Sequence, residues 1–400
     1  IQIMNTSIDR QFDGKFSVEN RYDYLNLNTC RFLWKQVKFP QATDASNTAA
    51  QVLKEGEVQG SDVAAHSVGV LDIKTNILAN TDALYLTAID KYGHELWRWT
   101  FPVDKLNQRT EPISLLSIRP TYTETENDLT VKANKRTFIF SKKDGQLKGV
   151  SVDNRKISFA NGPRFIGARR ADRSLDQFYN HDDEKAKEKD RTYSEFPDAA
   201  VFTKLDVKQD GGDLIVTANY KLGNLDKAQW TISPSGDLVL DYTYNFSGVV
   251  DLMGICFDYP EDQVISKRWL GAGPYRVWQN RIHGTQYDVW ENDYNDPIPG
   301  ETFTYPEFKG YFGDVSWMNI RTKEGIISLT NETPDAYVGI YQPRDGRDRL
   351  LYTLPESGIS LLNVIPPVRN KVNSTDLCGP SSQPKWVNGP QTGRIVFRFM

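Results

Sequence analysis

A chain of 400 residues, 39% of them hydrophobic and 25% charged, can bury a sizeable core, and this length predicts more than one domain. The formal net charge is −4 and no basic block with interleaved aromatic residues occurs, which excludes a protein that follows a phosphate backbone, so no nucleic acid is expected as a partner. No apolar run reaches the roughly 18 residues of a membrane-spanning helix, so no membrane span is expected.

The cysteines and histidines give no sign of a bound metal or cofactor. Cys30, Cys256 and Cys378 are far apart and fit neither a disulfide framework nor a Cys-x-x-Cys metal site, so buried free thiols are predicted. No cluster of histidine and carboxylate residues has zinc spacing, and the aspartate-rich stretch 288–296 lacks the central glycine of a calcium loop. We therefore predict no metal and no cofactor.

The first strand signals form a separate group near the beginning of the chain. Residues 16–20, 31–37 and 83–89 are rich in alternating apolar and aromatic side chains, which is typical of short half-buried strands. A group of about 100 residues of this kind suits an immunoglobulin-like (Ig-like) sandwich, predicted here for residues 16–108. Residues 109–127 lose this periodicity and contain Pro112 and Pro120, so they are predicted to be a linker.

Beyond the linker the sequence predicts a series of β-hairpins. Asp-Gly pairs or a Pro-Ser-Gly-Asp turn separate apolar segments at 137–140 and 147–152, at 205–207 and 214–220, and at 230–232 and 238–244. Amphipathic helices of the kind that surround a (β/α)₈ barrel are not indicated. The predicted fold class is therefore all-β, with a large β-sandwich over residues 128–400.

Several motifs, in the same order, resemble the C-terminal half of glycoside hydrolase family 2 enzymes of the β-galactosidase type. They are Val-Glu-Asn-Arg-Tyr-Asp-Tyr at 18–24, Gly-Pro-Arg-Phe-Ile-Gly-Ala-Arg-Arg-Ala-Asp at 162–172, Trp-Leu-Gly-Ala-Gly-Pro at 269–274, Tyr-Pro-Glu-Phe-Lys-Gly followed by Gly-Asp-Val-Ser-Trp within 305–317, and Leu-Cys-Gly-Pro followed by Trp386. Residues 1–15 are similar to the segment that leaves the catalytic barrel in that family. Arg276 stands where the family has a glutamate.

The resemblance implies an Ig-like sandwich followed by a galactose-mutarotase-like β-supersandwich. It also implies that the two catalytic glutamates lie on a barrel upstream of this chain, so no catalytic residue is predicted here and enzymatic activity of the chain is left open. The expected partners are that barrel and a carbohydrate, either a galactoside or a fragment of a plant or host polysaccharide. The last loop of the family carries a tryptophan that reaches the galactose site, which makes Trp386 a predicted sugar platform.

A second group of predicted sugar-binding residues follows the Gly-Pro motif, where cations alternate with aromatic rings. Such mixtures bind sugar hydroxyls by charge-assisted hydrogen bonds and sugar faces by stacking. The alternative is that the tryptophans face inward and the arginines pair with loop carboxylates. The predicted set consists of Arg276, Trp278, Arg281, Trp290 and Glu307.

Three further alternatives stay open. Glu291, Asp293, Glu301 and Glu307 could supply a pair of carboxyl groups about 5 Å apart for glycoside hydrolysis, although solvated or salt-bridged carboxylates are the preferred interpretation. The chain could be a free-standing carbohydrate-binding protein, or a mutarotase-like or epimerase-like enzyme that uses His283 and Glu307. A role in polysaccharide degradation favours the bacterial periplasm or cell surface.

Overall fold

The computed structural model describes residues 1–45, 48–104, 118–170, 193–293, 310–340, 358–367 and 379–400. These residues form β-strands and short 3-10 turns, and none of them lies in an α-helix. The prediction of an all-β protein is confirmed. Within the same ranges, no helix has the length and apolar character needed to cross a membrane.

The chain divides into two compact units, residues 1–108 with 286–289, and residues 109–285 with 290–400.

The first unit is a sandwich of two antiparallel sheets with seven strands, the number found in an immunoglobulin constant-type domain. One sheet has the order β1-β2-β5 and the other the order β4-β3-β6-β7. The strands predicted near 16–20, 31–37 and 83–89 are all present. The bounds are β1 Gln2–Ile3, β2 Lys15–Asn20, β3 Arg31–Lys38, β4 Gln51–Gln59, β5 Ser67–Asp72, β6 Ala83–Ile89 and β7 Glu95–Pro102.

The core of the first unit includes residues from the stretch predicted to be an exit segment. Ile3 and Ile8 are buried together with Phe16, Phe32 and Leu86. Alternation explains why this core forms, because every second residue of β2 is buried while its neighbours face outward.

The strands that begin at residue 121 or later form two large sheets. The first has the order β24-β25-β19-β13-β11-β10-β9-β8, with β12 beside β11 and β14 beside β13, and the second has the order β15-β16-β17-β18-β26-β23-β22-β20-β21. Strand β8 lies inside the range predicted to be a linker. The bounds are β8 Thr121–Glu124, β9 Asp128–Ala133, β10 Arg136–Ser141, β11 Leu147–Val152, β12 Arg155–Ile157, β13 Ala160–Arg170, β14 Tyr193–Glu195, β15 Val201–Asp210, β16 Asp213–Lys221, β17 Leu225–Ile232, β18 Leu238–Val250, β19 Leu252–Asp258, β20 Val264–Gly273, β21 Gln286–Asp293, β22 Trp317–Thr322, β23 Gly325–Asn331, β24 Tyr337–Ile340, β25 Ile359–Val364 and β26 Lys385–Phe399.

The three predicted hairpins are confirmed as β10–β11, β15–β16 and β17–β18. Their turns use glycine for its backbone freedom. Gly145 and Gly236 have φ of +76° and +83°, a region that other residues rarely adopt.

The main core of the second unit lies between its two sheets, because the strands bury alternate residues toward each other. Phe140 of β10 lies 5.9 Å from Trp230 of β17, measured between ring centroids. The central strands β19 and β25 are buried on both faces. A second apolar cluster, which contains Ile166, Cys256 and Leu362, covers the outer face of the first sheet. This second cluster positions the candidate site.

Candidate functional site

The segment that follows the Gly-Pro motif packs into the second apolar cluster. Val277 and Trp278 are buried there, and the Trp278 ring meets the Tyr311 ring edge-on with centroids 5.6 Å apart. Gly310 is required at this place, since its φ is +41° and a Cβ would overlap the Trp278 indole and the Val277 carbonyl. The backbone of this segment is fixed by paired bonds between Val277 and Tyr311, at 2.7 and 2.8 Å. The segment is therefore a rigid part of the fold.

Three buried cations lie on β20 and just after it. Lys267, Arg268 and Arg276 are 1%, 7% and 7% exposed. The Lys267 ammonium donates to the backbone carbonyl of Asp293 at 2.6 Å. The guanidinium groups of Arg268 and Arg276 stack on the rings of Trp317 and Phe312, at 5.4 and 5.3 Å from the centroids. The site thus contains buried cations, two of which are covered by aromatic rings.

A polar clamp joins the 276–281 segment to the last loop. The side-chain amide of Gln279 donates to the carbonyl oxygens of Ser381 and Gln383, at 2.9 and 2.7 Å. Asn280 donates to the Ser382 hydroxyl at 2.9 Å. These bonds fix a single 3-10 turn, Pro380–Ser382, directly before β26. The two stretches that the sequence analysis selected separately are therefore neighbours.

Trp386 follows this clamp as the second residue of β26. Its backbone is paired with Val249 of β18, so the position of the residue is fixed by a long ladder. Its side chain is 71% exposed, which is unusual for a tryptophan. A rigid backbone that presents an open indole ring is the arrangement needed for stacking on an apolar ligand face.

Trp290 occupies a different position, beside the Gly-Pro motif. Its indole N–H donates to the Gly271 carbonyl at 3.2 Å, and a Cβ at Gly273 would overlap its ring. The ring therefore packs on the end of β20 and is half-buried. Packing against backbone explains why glycine is needed at 273 in the motif.

The structure places the predicted site residues in three environments. Trp386 and Arg281 are exposed, Trp290 is half-buried, and Arg276 and Trp278 are buried, so Trp278 corresponds to the inward-facing alternative. His283 is exposed on the turn after Arg281. Glu301, Glu307 and Cys378 lie outside the described residues, so the roles proposed for the two glutamates stay predictions.

The clamp residues Gln279 and Asn280 were not selected from the sequence. Each bonds to a residue 102 positions away or more, and no local pattern marks such a pairing. The sequence feature that pointed to these residues was the alternation of cations and aromatic rings around them.

The fold and the site together define an all-β protein whose larger unit is a two-layer sandwich with an exposed tryptophan at the start of β26, directly after a clamped turn. Residues 132–363, more than half of the chain, match the family model described as "Beta galactosidase small chain". The chain belongs to this family, which confirms the resemblance noted in the sequence and makes the chain a carbohydrate-related protein.

Two solved structures are also similar to this chain. A galactose 1-epimerase from Lactobacillus acidophilus NCFM has 10% identity and a TM-score of 0.38, over 71% of this chain and 99% of its own. A GalM/aldose epimerase homologue from C. elegans has 8% identity and a TM-score of 0.31, over 70% of this chain and 99% of its own. A comparison with curated protein sequences gives no match.

Proposed function

We propose that the chain is the non-catalytic C-terminal region of a family 2 glycoside hydrolase of the β-galactosidase type. In this proposal the large sandwich binds carbohydrate and completes the wall of an active site carried by an upstream barrel. Membership of the beta galactosidase small chain family supports the assignment. The described residues form strands and short turns, and a (β/α)₈ barrel is not found among them, which supports a non-catalytic role.

The observation that carries the proposal is the exposure of Trp386. A tryptophan that is 71% exposed leaves a large apolar surface in water, an unfavourable arrangement unless a ligand covers it. The clamp by Gln279 and the ladder with Val249 fix the backbone that carries this ring, so little backbone conformational entropy is lost on binding. The apolar face of a pyranose ring suits such a platform.

Titration of the purified chain with galactose and with lactose tests the binding step. Trp386→Ala is expected to weaken binding about tenfold or more, and Trp386→Phe to retain part of the affinity because a ring face remains. Trp97→Ala is the matched control, since Trp97 is also exposed, at 43%, but belongs to the first unit. Equal affinities of the wild type and Trp386→Ala would contradict the proposed platform.

Reconstitution tests the relation to a barrel. The chain alone is expected not to hydrolyse an aryl β-galactoside, and addition of the barrel-containing part of the parent protein is expected to produce turnover. Sugar binding by the chain with no turnover in the mixture would instead favour a free-standing carbohydrate-binding protein. Turnover by the chain alone would refute the non-catalytic role.

A function in polysaccharide breakdown favours a periplasmic or cell-surface location.

A further inference from the structure

A cleft in the second unit lies among residues other than those of the Trp386 site. Its volume is about 730 Å³, within the range of roughly 300–1,000 Å³ that is usual for small-molecule sites. The turn between β10 and β11, the start of β13 and the hairpin β15–β16 form its walls. We call it the hairpin cleft. Its lining includes Asp144, Gln146, Arg164, Asp198, Phe202 and Tyr220.

Aromatic rings form the apolar wall of the hairpin cleft. Phe202 and Tyr220 pack edge to face with centroids 6.0 Å apart. Phe165, in the middle of β13, is buried and is stacked on Phe246 at 6.0 Å. Gly145 lets the turn approach this wall, because a Cβ there would lie 2.7 Å from the Phe202 ring. The wall is therefore held in place from both sides and offers flat apolar surface.

Polar groups with unused hydrogen-bonding capacity border this wall. Asp144 accepts a bond from the Gln146 backbone N–H through one carboxylate oxygen, and its other oxygen has no partner among the described residues. The Gln146 side-chain amide likewise has no hydrogen-bond partner within that part of the chain, and Gln146 is half-buried. An amide and a carboxylate together offer both donors and acceptors. Such a pair suits a ligand that carries several hydroxyl groups.

The lining of the hairpin cleft includes Tyr220. The Tyr220 hydroxyl is buried and makes no hydrogen bond within the described residues. Burial, followed by the charges of Asp144 and Asp198, raises the pKa of Tyr220 well above its ordinary value. The phenol therefore stays neutral, and it adds no charge to the cleft.

The charges around the hairpin cleft argue against an anionic ligand. The guanidinium of Arg164 already donates to the Asp258 carboxylate at 2.6 Å and to the Asn161 carbonyl. Asp198 is likewise occupied, because it accepts bonds from the backbone N–H groups of Ala200 at 3.1 Å and Asn224 at 3.3 Å. With the arginine neutralised by its own carboxylate, a phosphate or sulfate would meet one lysine, Lys143, and the two carboxylates of Asp144 and Asp198 on the lining.

From the apolar wall, the Asp144 and Gln146 polar groups and the balanced charge, we propose that the hairpin cleft is a second binding site for a neutral sugar unit. The rings cover one face of the pyranose, while Asp144 and Gln146 bond to its hydroxyl groups. This site goes beyond the proposed platform at Trp386, because it uses none of the residues of that platform. The chain then holds two sugar units at separate places on the second unit.

Isothermal titration of the 400-residue chain with lactose and with cellobiose tests this proposal. The wild type is expected to bind two sugars per chain. Gln146→Ala is expected to weaken one of the two sites about tenfold, as the loss of a hydrogen-bonding side chain predicts. Gln51→Ala is the matched control, an exposed glutamine of the first unit, and is expected to leave both sites unchanged.

Comparison with Trp386→Ala separates this proposal from the preceding one. If Trp386→Ala has no effect and Gln146→Ala removes a site, the platform is wrong and the hairpin cleft stands. If Gln146→Ala and Phe202→Ala, each with a thermal unfolding transition like that of the wild type, both bind as the wild type does, the hairpin cleft is not a sugar site. Binding of inorganic phosphate that competes with lactose and is lost in Gln146→Ala would also overturn the proposal.

Discussion

The side-chain amide of Gln279 lies 2.7 Å from the carbonyl oxygen of Gln383 and joins two residues that are 104 positions apart. The same amide nitrogen also bonds to the Ser381 carbonyl. Because Gln279 is only 7% exposed, these two carbonyls are satisfied by a side chain that water cannot easily replace. The backbone of the turn before β26 is therefore joined to the 276–281 segment by one buried amide together with the bond from Asn280 to Ser382.

We expect Gln279→Ala to lower the free energy of unfolding by about 1–2 kcal/mol, since two partly buried hydrogen bonds are lost. We also expect it to weaken lactose binding at Trp386, because the turn directly before this residue is less well fixed. Chemical denaturation and titration calorimetry measure the two effects. Gln263→Ala is the control, as the bond from the Gln263 amide to its neighbour Asp262 is exposed and is the one side-chain bond of Gln263 among the described residues. Similar stability of both variants would contradict the clamp.

A second prediction concerns the glycine of the Gly-Pro motif. Gly273→Ala places a Cβ into the Trp290 indole, and we expect this overpacking to cost about 1–3 kcal/mol of stability. Gly212→Ala is the matched control. A Cβ there meets only Pro234, at an ordinary distance of 3.5 Å, so little change is expected. Thermal unfolding of the two variants checks the difference, and a stable Gly273→Ala protein would show that Trp290 can move away.

Two tryptophans of this chain show that the burial of a side chain could not be predicted from the local sequence alone. Trp278 and Trp386 both follow a Gly-Pro pair, yet Trp278 is 4% exposed and Trp386 is 71% exposed. Trp278 is buried because β13, β19 and β25 present an apolar outer face to it, and that face is created by sheet order. Sheet order depends on pairings between distant segments, which a local pattern does not encode.

The hairpins were predictable for the opposite reason. The turn at Asp144-Gly145 and the turn at Gly211 need positive φ, and glycine at these places is a local signal that lies within a few residues of both strands. The resemblance of the motif series to a known family then predicted the large sandwich.

The hairpin cleft could not be predicted from the sequence, because Gln146, Arg164 and Tyr220 are separated by up to 74 positions and meet only in the folded sandwich.

A third prediction concerns the thiols. Cys30 and Cys256 are both buried and free. Burial raises the pKa of the Cys256 thiol to about 11, although the neighbouring Arg164 acts in the opposite direction. We expect Cys256 to resist alkylation at neutral pH in the folded protein and to react readily in denaturant, because the thiolate is the reactive form. Peptide mass spectrometry after labelling measures each thiol separately. Rapid labelling of Cys256 in the native state would contradict its burial.

The fourth prediction concerns stability at alkaline pH. Burial is the first cause of a raised pKa for a set of tyrosines in the two units. For Tyr22 the pKa rises to about 12. The full set is Tyr22, Tyr85, Tyr220, Tyr242, Tyr244, Tyr259 and Tyr337.

The sign of this effect follows from proton binding. Above about pH 10 the unfolded chain loses its phenolic protons while the folded chain keeps them, so the unfolded state binds fewer protons and stability falls as pH rises. Each fully buried phenol contributes a slope of about 1.4 kcal/mol per pH unit in that window. Exposed tyrosines such as Tyr24 and Tyr92 ionise gradually in the folded chain, whereas the buried set is expected to ionise in a cooperative transition together with the loss of sheet structure. Ionisation of all 19 tyrosines without unfolding would contradict the burial of this set.

Two substitutions, Tyr220→Phe and Tyr244→Phe, are expected to change the free energy of unfolding at neutral pH in opposite directions. Tyr220→Phe removes a buried hydroxyl without a hydrogen-bond partner in the described part of the chain, so a gain of about 1 kcal/mol is expected. Tyr244→Phe removes a hydroxyl that donates to Asn363 at 2.6 Å, so a loss of about 1–2 kcal/mol is expected. Both variants have one buried phenol fewer, and both should therefore show a smaller slope of stability above pH 10. A loss of stability in Tyr220→Phe at neutral pH would mean that this hydroxyl has a hydrogen-bond partner in the folded protein.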